Sequence, residues 1–172
     1  MLQVILMSLA LLLTPLPIQT YKPLEATPNV STPCDDIPPF NSQVLAYVKS
    51  KINKKVGRGE CWDLAAETLN TLHAQWNGRY EYGSKVDYKT ECIYPGDFIQ
   101  FENVIVETHE GNNYLRESMS HHTAMVYEVQ SPGVYVIAHQ NYGKQGRKVQ
   151  LTTLRTGNIT RGTIQIYRPM PG

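Results

Sequence analysis

Charge of one sign is scarce in this chain: 16 Lys and Arg stand against 15 Asp and Glu, for a formal net charge of +1 over 172 residues. The densest basic cluster, Lys51, Lys54, Lys55 and Arg58, is too short for the footprint that phosphate backbones require, so no nucleic-acid partner is expected. It reads instead as a solvated helix end. Long hydrophobic runs are also scarce. The run at 2–13, LQVILMSLALLL, falls short of the roughly 20 apolar residues of a membrane span, and no transmembrane span is expected beyond it. No Lys or Arg precedes that run, and no clear small-x-small cleavage site follows it. Its length nevertheless matches the core of a signal peptide. Internal repeats, heptads and low-complexity segments are absent, apart from a proline-rich stretch after the apolar run.

With 41% hydrophobic and 18% charged residues, what remains suits one globular domain. The organisation expected is a signal peptide at 1–20, a Pro-rich extended tether at 21–39 and a folded domain at 40–172. The implied location is secreted, periplasmic or extracellular. Three cysteines leave one thiol over in an exported protein. Cys34 lies in the tether and Cys92 just before a strand, so Cys34–Cys92 is the pairing that spares Cys61.

Apolar positions Val44, Leu45, Val48 and Ile52 recur at helical spacing between 41 and 55, with Asn41 or Ser42 as cap and Gly57 as stop. A second helix is expected from 61 to about 75, with Leu64, Ala65, Leu69 and Leu72 on one face. Residues 79–96 read as loop. Beyond Pro95-Gly96-Asp97 the period changes to that of strands, at 98–101, 104–107, 123–129, 134–139, 147–154 and 163–167. Ser131-Pro132-Gly133 marks a hairpin, and 110–120 reads as a polar turn. Helices first and an antiparallel sheet of about six strands afterwards is an α+β order.

The segment GRGECWDLA at 57–65 is the most informative. Cys61 follows a Gly-x-Gly turn and opens an amphipathic helix. There the unpaired N–H groups and the positive dipole end favour a thiolate and can hold a developing oxyanion. Most cysteines at apolar helix positions are small core residues, but an inert thiol gains little at the first position beside Glu60 and Asp63. A thiolate needs a base, and His121-His122 opens the strand at 123–129. His139 ends the neighbouring strand, where a base and its orienting group would come together. No metal or cofactor is called for.

GECWDLA, PGDFIQF at 95–101, HHTAMVYEV at 121–129 and HQNY at 139–142 together resemble the CHAP and NlpC/P60 cysteine peptidases and amidases of the papain-like fold. They resemble in particular the cysteine-proteinase-fold domain of fungal myosin tail region-interacting proteins. The likeness covers about residues 41–168. It implies Cys61 as nucleophile and His122, two before Ala124, as general base. His139 falls at the third position, and Asn141 matches an asparagine that can polarise the site. His121 stands where relatives usually have glycine. For the oxyanion, Tyr82 and Gln43 are the side chains to consider. The implied function is a cysteine hydrolase (a thiol protease or amidase) cleaving an amide bond of a peptide or peptidoglycan-like substrate through a thioester on Cys61. The alternative is a catalytically silent papain-like fold serving as a binding or scaffold module. An acyl transferase is a third reading, without the Asp that usually ends its triad.

Overall fold

A computed structural model describes residues 34–143 and 146–172; the expected signal peptide and most of the tether lie outside them. Two helices precede a mainly antiparallel β structure. Helix α1 (Pro39–Lys51) and helix α2 (Cys61–Thr71) are followed by β1 (Ala74–Gln75), β2 (Ser84–Val86), β3 (Phe98–Glu110), β4 (Asn113–Ser131), β5 (Val134–His139), β6 (Gln150–Arg155), β7 (Ile159–Arg168) and β8 (Met170–Pro171). Among the described residues the main sheet has six antiparallel strands in the order β2-β7-β3-β4-β5-β6, while β1 and β8 pair separately.

Helix α1 starts two residues before the expected cap, because Pro39 at the first helical position is already set to a helical φ. The Asn41 side chain is drawn instead into the core, where its Nδ2 donates to Asp97 Oδ1 at 2.7 Å and to Pro95 O. The helix stops at Lys51 and not near 55, since Ile52 bridges to Val149 and the Asn53 N–H donates to the Val149 carbonyl. Helix α2 ends at Thr71, and the residues after it turn to pair with the C-terminal Met170 and Pro171.

The runs at 98–101 and 104–107 are one strand, interrupted by an irregularity at Asn103 (φ 53°). The segment 113–120 is likewise strand, paired with β3 as far as Glu110↔Asn113. Gly96 makes the entry to β3 possible. Its φ is 92°, and a Cβ there would stand 2.5 Å from the Asn41 carbonyl oxygen. Asp97, fully buried, accepts from Asn41, from the Tyr94 N–H and from the Arg168 guanidinium, so the Pro-Gly-Asp motif joins α1, β3 and β7.

The sheet has a core on each face, as alternation of side chains requires. On the helix side Val44, Val48, Leu64, Ala65 and Leu69 pack on Tyr82, Phe98, Met125 and Ala138. On the other side Ile99, Phe101, Ala124, Val126, Ile137 and Ile166 pack together with Ile93. Burying each such large side chain contributes about 1.5–3 kcal/mol, so both faces of β4 are fixed and its register cannot slip by one residue.

Candidate active site

Cys61 is the first residue of α2, and local polar contacts hold it there. Asp63 Oδ2 accepts from the N–H groups of Arg58 and Glu60 at 2.8 and 3.1 Å, closing the turn that precedes the cysteine. Gly59 adopts φ 90° because the loop passes so close to Arg147 that a Cβ would lie 2.6 Å from the arginine's own Cβ. Gln140, fully buried, accepts from the Val56 N–H and donates to the carbonyls of Val56 and Glu60. It thus fastens the cysteine loop to the end of β5. Sequence reasoning passed over Gln140, whose only signal was its place in HQNY.

The thiol of Cys61 is free and partly buried. Backbone groups of Thr123, Trp62 and Cys61 itself favour the thiolate. Burial outweighs them and, with the Glu60 charge, pushes the thiol above its ordinary range. Thr123, which follows His122 on β4, is the first of these backbone groups, so α2 begins beside that segment of the strand.

The two adjacent histidines turn to opposite faces of β4. His122 lies on the face of the second core, with its Nε2 2.9 Å from Nδ1 of His139 and its ring near Phe101 and Tyr142. Nε2 of His139 lies 3.0 Å from Thr152 Oγ1. Burial of His122, with the neighbouring His121, lowers its pKa to about 4; burial of His139, with His122 beside it, lowers that ring to about 3. Tyr142 lines this pair and donates to Glu117 at 2.5 Å.

His121 is on the helix side. It meets the Glu102 carboxylate at 2.9 Å and the edge or face of Tyr80 at a centroid distance of 4.2 Å. On that face too, the buried Tyr82 hydroxyl donates to Gln100 Oε1 at 3.0 Å and lies 2.8 Å from Thr123 Oγ1. Burial pushes the Tyr82 phenol well above its ordinary pKa, and the proximity of Cys61 adds to that shift.

The structure thus brings His122 and His139 together and sets Cys61 and Tyr82 beside the same segment of β4. It does not bring Asn141 to His122. Asn141 is exposed, and its Nδ2 donates to Glu60 Oε2 at 2.6 Å, at the foot of α2. Gln43 is exposed on α1, lining a groove with Pro38, Pro169 and Met170. Cys34 and Cys92 are joined in a disulfide with Cα atoms 5.5 Å apart, which leaves Cys61 out of any bridge.

Two helices on a six-stranded antiparallel sheet, with a cysteine opening the second helix, make this an α+β protein of the papain-like cysteine-proteinase fold. The chain belongs to the AIM3/BBC1 cysteine proteinase-fold domain family, whose model matches residues 38–172. It is similar to "Altered inheritance of mitochondria protein 3" of Debaryomyces hansenii, with 29% identity over 150 residues. That match takes in 77% of this chain and 16% of the relative. Among solved structures it is similar to "The crystal structure of Ly7917", with a TM-score of 0.45 at 16% identity, covering 74% of this chain and 62% of that one. It is also similar to the structure of Ly7917 "with the hydrolyzing product of MDP", with a TM-score of 0.47 at 15% identity, covering 77% and 63%.

This relationship overturns the expected secreted, periplasmic or extracellular location. The curated relative is named for the inheritance of mitochondria, organelles inside the cell. The physical reason for the error is that an apolar run of signal-peptide length is a statement about composition alone. The run at 2–13 lacked both the basic end and the cleavage site that would have tied it to export. Among the described residues, no helix is long and apolar enough to cross a membrane.

Proposed function

We propose that this domain is a cysteine hydrolase that cleaves an amide bond of a peptide or peptidoglycan-like substrate. Cys61 is the nucleophile, His122 the general base and His139 the group that orients it. The observation that carries this reading is the free Cys61 thiol at the first position of α2, where backbone groups of Thr123, Trp62 and Cys61 itself favour the thiolate, together with the buried His122–His139 pair that precedes and follows Thr123 in the fold. Those backbone groups would stabilise a thiolate and then an oxyanion, while the bond from His122 Nε2 to His139 leaves Nδ1 for the thiol proton. In the cycle, the Cys61 sulfur adds to the carbonyl carbon as its proton passes to His122. That proton then leaves with the amine, and water hydrolyses the thioester. Tyr82 supports the site from the helix side through Thr123 and Gln100.

The test is digestion of peptide libraries and of peptidoglycan, followed by mass spectrometry, with wild type against Cys61→Ala. Cleavage by the wild type that disappears in the variant is the expected result. Products that persist in Cys61→Ala would overturn the assignment.

A second reading, a silent fold used as a binding or scaffold module, draws on two observations. Burial holds the thiol up and both imidazoles neutral, so the resting site has no preformed ion pair. The match also spans only 16% of its much longer relative, in which such a domain is one part of the chain. Alkylation by iodoacetamide at pH 6–7 separates the readings. An activated Cys61 reacts several-fold or more faster than a free cysteine, and an inert one reacts more slowly.

A further inference from the structure

We propose that the outer edge of β6 is a docking strand for an extended, acidic segment of a partner protein, which joins the six-stranded sheet as a further strand between Lys148 and Arg155. This goes beyond the hydrolase reading and holds whether or not Cys61 turns over.

β6 ends the main sheet. In an antiparallel ladder, alternate residues turn both N–H and C=O toward the same neighbour. The Thr156 N–H donates to the Gly133 carbonyl on the β5 side, one step beyond the pair Val134↔Arg155. Gln150, Thr152 and Leu154 therefore bond inward to β5, and Leu151, Thr153 and Arg155 turn their backbone groups outward. Val149 follows the same alternation. Its N–H donates to the Lys54 carbonyl and its own carbonyl accepts from the Asn53 N–H, so the chain after α1 covers the edge at that residue. Among the described residues no strand pairs with the outward groups of Leu151, Thr153 and Arg155, and all three residues are exposed.

An open strand edge is a template for pairing, and folded proteins blunt theirs by shortness, lysine, proline or bulges. The opposite edge, β2, is three residues long with an exposed Lys85 at its centre. β6 has six residues, no proline, no lysine and no register shift against β5. Leu151, 39% exposed, adds an apolar side chain to the open edge. Charge decides what fits there. The run 147–155, RKVQLTTLR, holds three cations and no acid. Arg147 is paired with Glu60. Among the described residues, Lys148 and Arg155 have no ion-pair partner, and they are exposed at the two ends of the open edge. A second copy would bring two cationic edges together, which repulsion disfavours. An extended segment with carboxylates at both ends and β-branched residues between them meets both cations. Main-chain bonds to the strand would supply its affinity, and the end charges its selectivity.

The experiment titrates ¹⁵N-labelled full-length protein with two peptides, EEVTVTVEE and KKVTVTVKK, and follows amide shifts and hydrogen exchange. The acidic peptide should protect the amides of Leu151, Thr153 and Arg155, and bind roughly tenfold or more tightly than the basic one at low salt. Thr153→Pro removes an outward N–H that β5 does not use, so the denaturation midpoint should hold while binding is lost. Lys148→Glu combined with Arg155→Glu should invert the preference between the peptides, and it decides the matter should the proline disturb the strand. No protection at β6 with about 1 mM acidic peptide, or a preference unaltered by the charge reversal, would overturn the proposal. Sedimentation of the protein alone supplies the last outcome. A dimer that Thr153→Pro dissociates would give the edge to a second copy and overturn the acidic partner.

Discussion

At the scale of single residues, two neutral imidazoles and a protonated thiol lie around one segment of β4, and their environment carries a consequence for stability. Burial costs the cationic form of a histidine its hydration, and a second imidazole nearby adds repulsion. The pKa values of His122 and His139 are accordingly lowered from the ordinary 6.5 to about 4 and about 3. Folded-state values below the unfolded one mean that the unfolded chain takes up protons that the folded protein refuses. The stability associated with the pair is therefore complete above pH 6.5, declines as pH falls below it, and stops declining near pH 4 and 3 as each ring is protonated in place. Urea midpoints measured from pH 7.5 to 4.5 should fall for the wild type. They should fall less steeply for His139→Gln, which removes one of the two groups. Parallel profiles for the two proteins would contradict the burial of a neutral His139.

At the scale of elements, the end of β5 and the loop before α2 behave as one unit, because Gln140 ties them across 84 residues of sequence. Replacing it by Leu would leave the Val56 N–H and the carbonyls of Val56 and Glu60 without their partner. Each unpaired buried group costs about 1–3 kcal/mol. Gln140→Leu should thus lower unfolding stability by roughly 2–4 kcal/mol and loosen Cys61 in particular. Chemical denaturation, together with hydrogen exchange at residues 56–62, checks both parts. A variant as stable as the wild type would show that the loop holds itself.

Much of the surrounding framework was legible in the sequence. Helical spacing at Val44 and Val48, the Pro95-Gly96-Asp97 entry and the Ser131-Pro132-Gly133 hairpin are local patterns, and they gave elements of the right type. The long arm formed by 113–120 was not legible, since its polar residues Glu117 and Ser118 show no apolar alternation and it is held by pairing with β3. Nor was the facing of His121 and His122. Two adjacent strand residues must oppose each other, but only the partners, Glu102 on one side and His139 on the other, say which turns where. Gln140 and Thr152 were hidden for the same reason: what they touch is distant in sequence.

At the scale of the described molecule, the Cys34–Cys92 disulfide fastens the segment before α1 to the approach to β3, closing a separation of 58 residues. In the chain-entropy picture, a loop of that size restrains the unfolded state by roughly 4 kcal/mol, a figure that strain or residual unfolded structure would reduce. The pairing matters to the candidate site only indirectly. It occupies the two cysteines that might otherwise exchange with Cys61, and it lies beside Ile93 at the margin of the second core, away from α2. Such bridges are rare and often transient in reducing compartments, so the oxidation state of this one is worth measuring. Mild reduction, or Cys34→Ser, should lower the denaturation midpoint by an amount corresponding to about 2–4 kcal/mol. The alkylation rate of Cys61 should stay within about twofold of the oxidised protein, because the bridge lies beside Ile93, Val129 and Tyr135, whereas the thiol stands at the start of α2. Stability would be followed by urea titration, and Cys61 modification by mass spectrometry of the peptide that contains it. A reduced protein with unchanged stability would show that the core alone holds the 34–38 segment. A large change in Cys61 reactivity at unchanged stability would instead couple the bridge to the Cys61 thiol, against the separation that the fold displays.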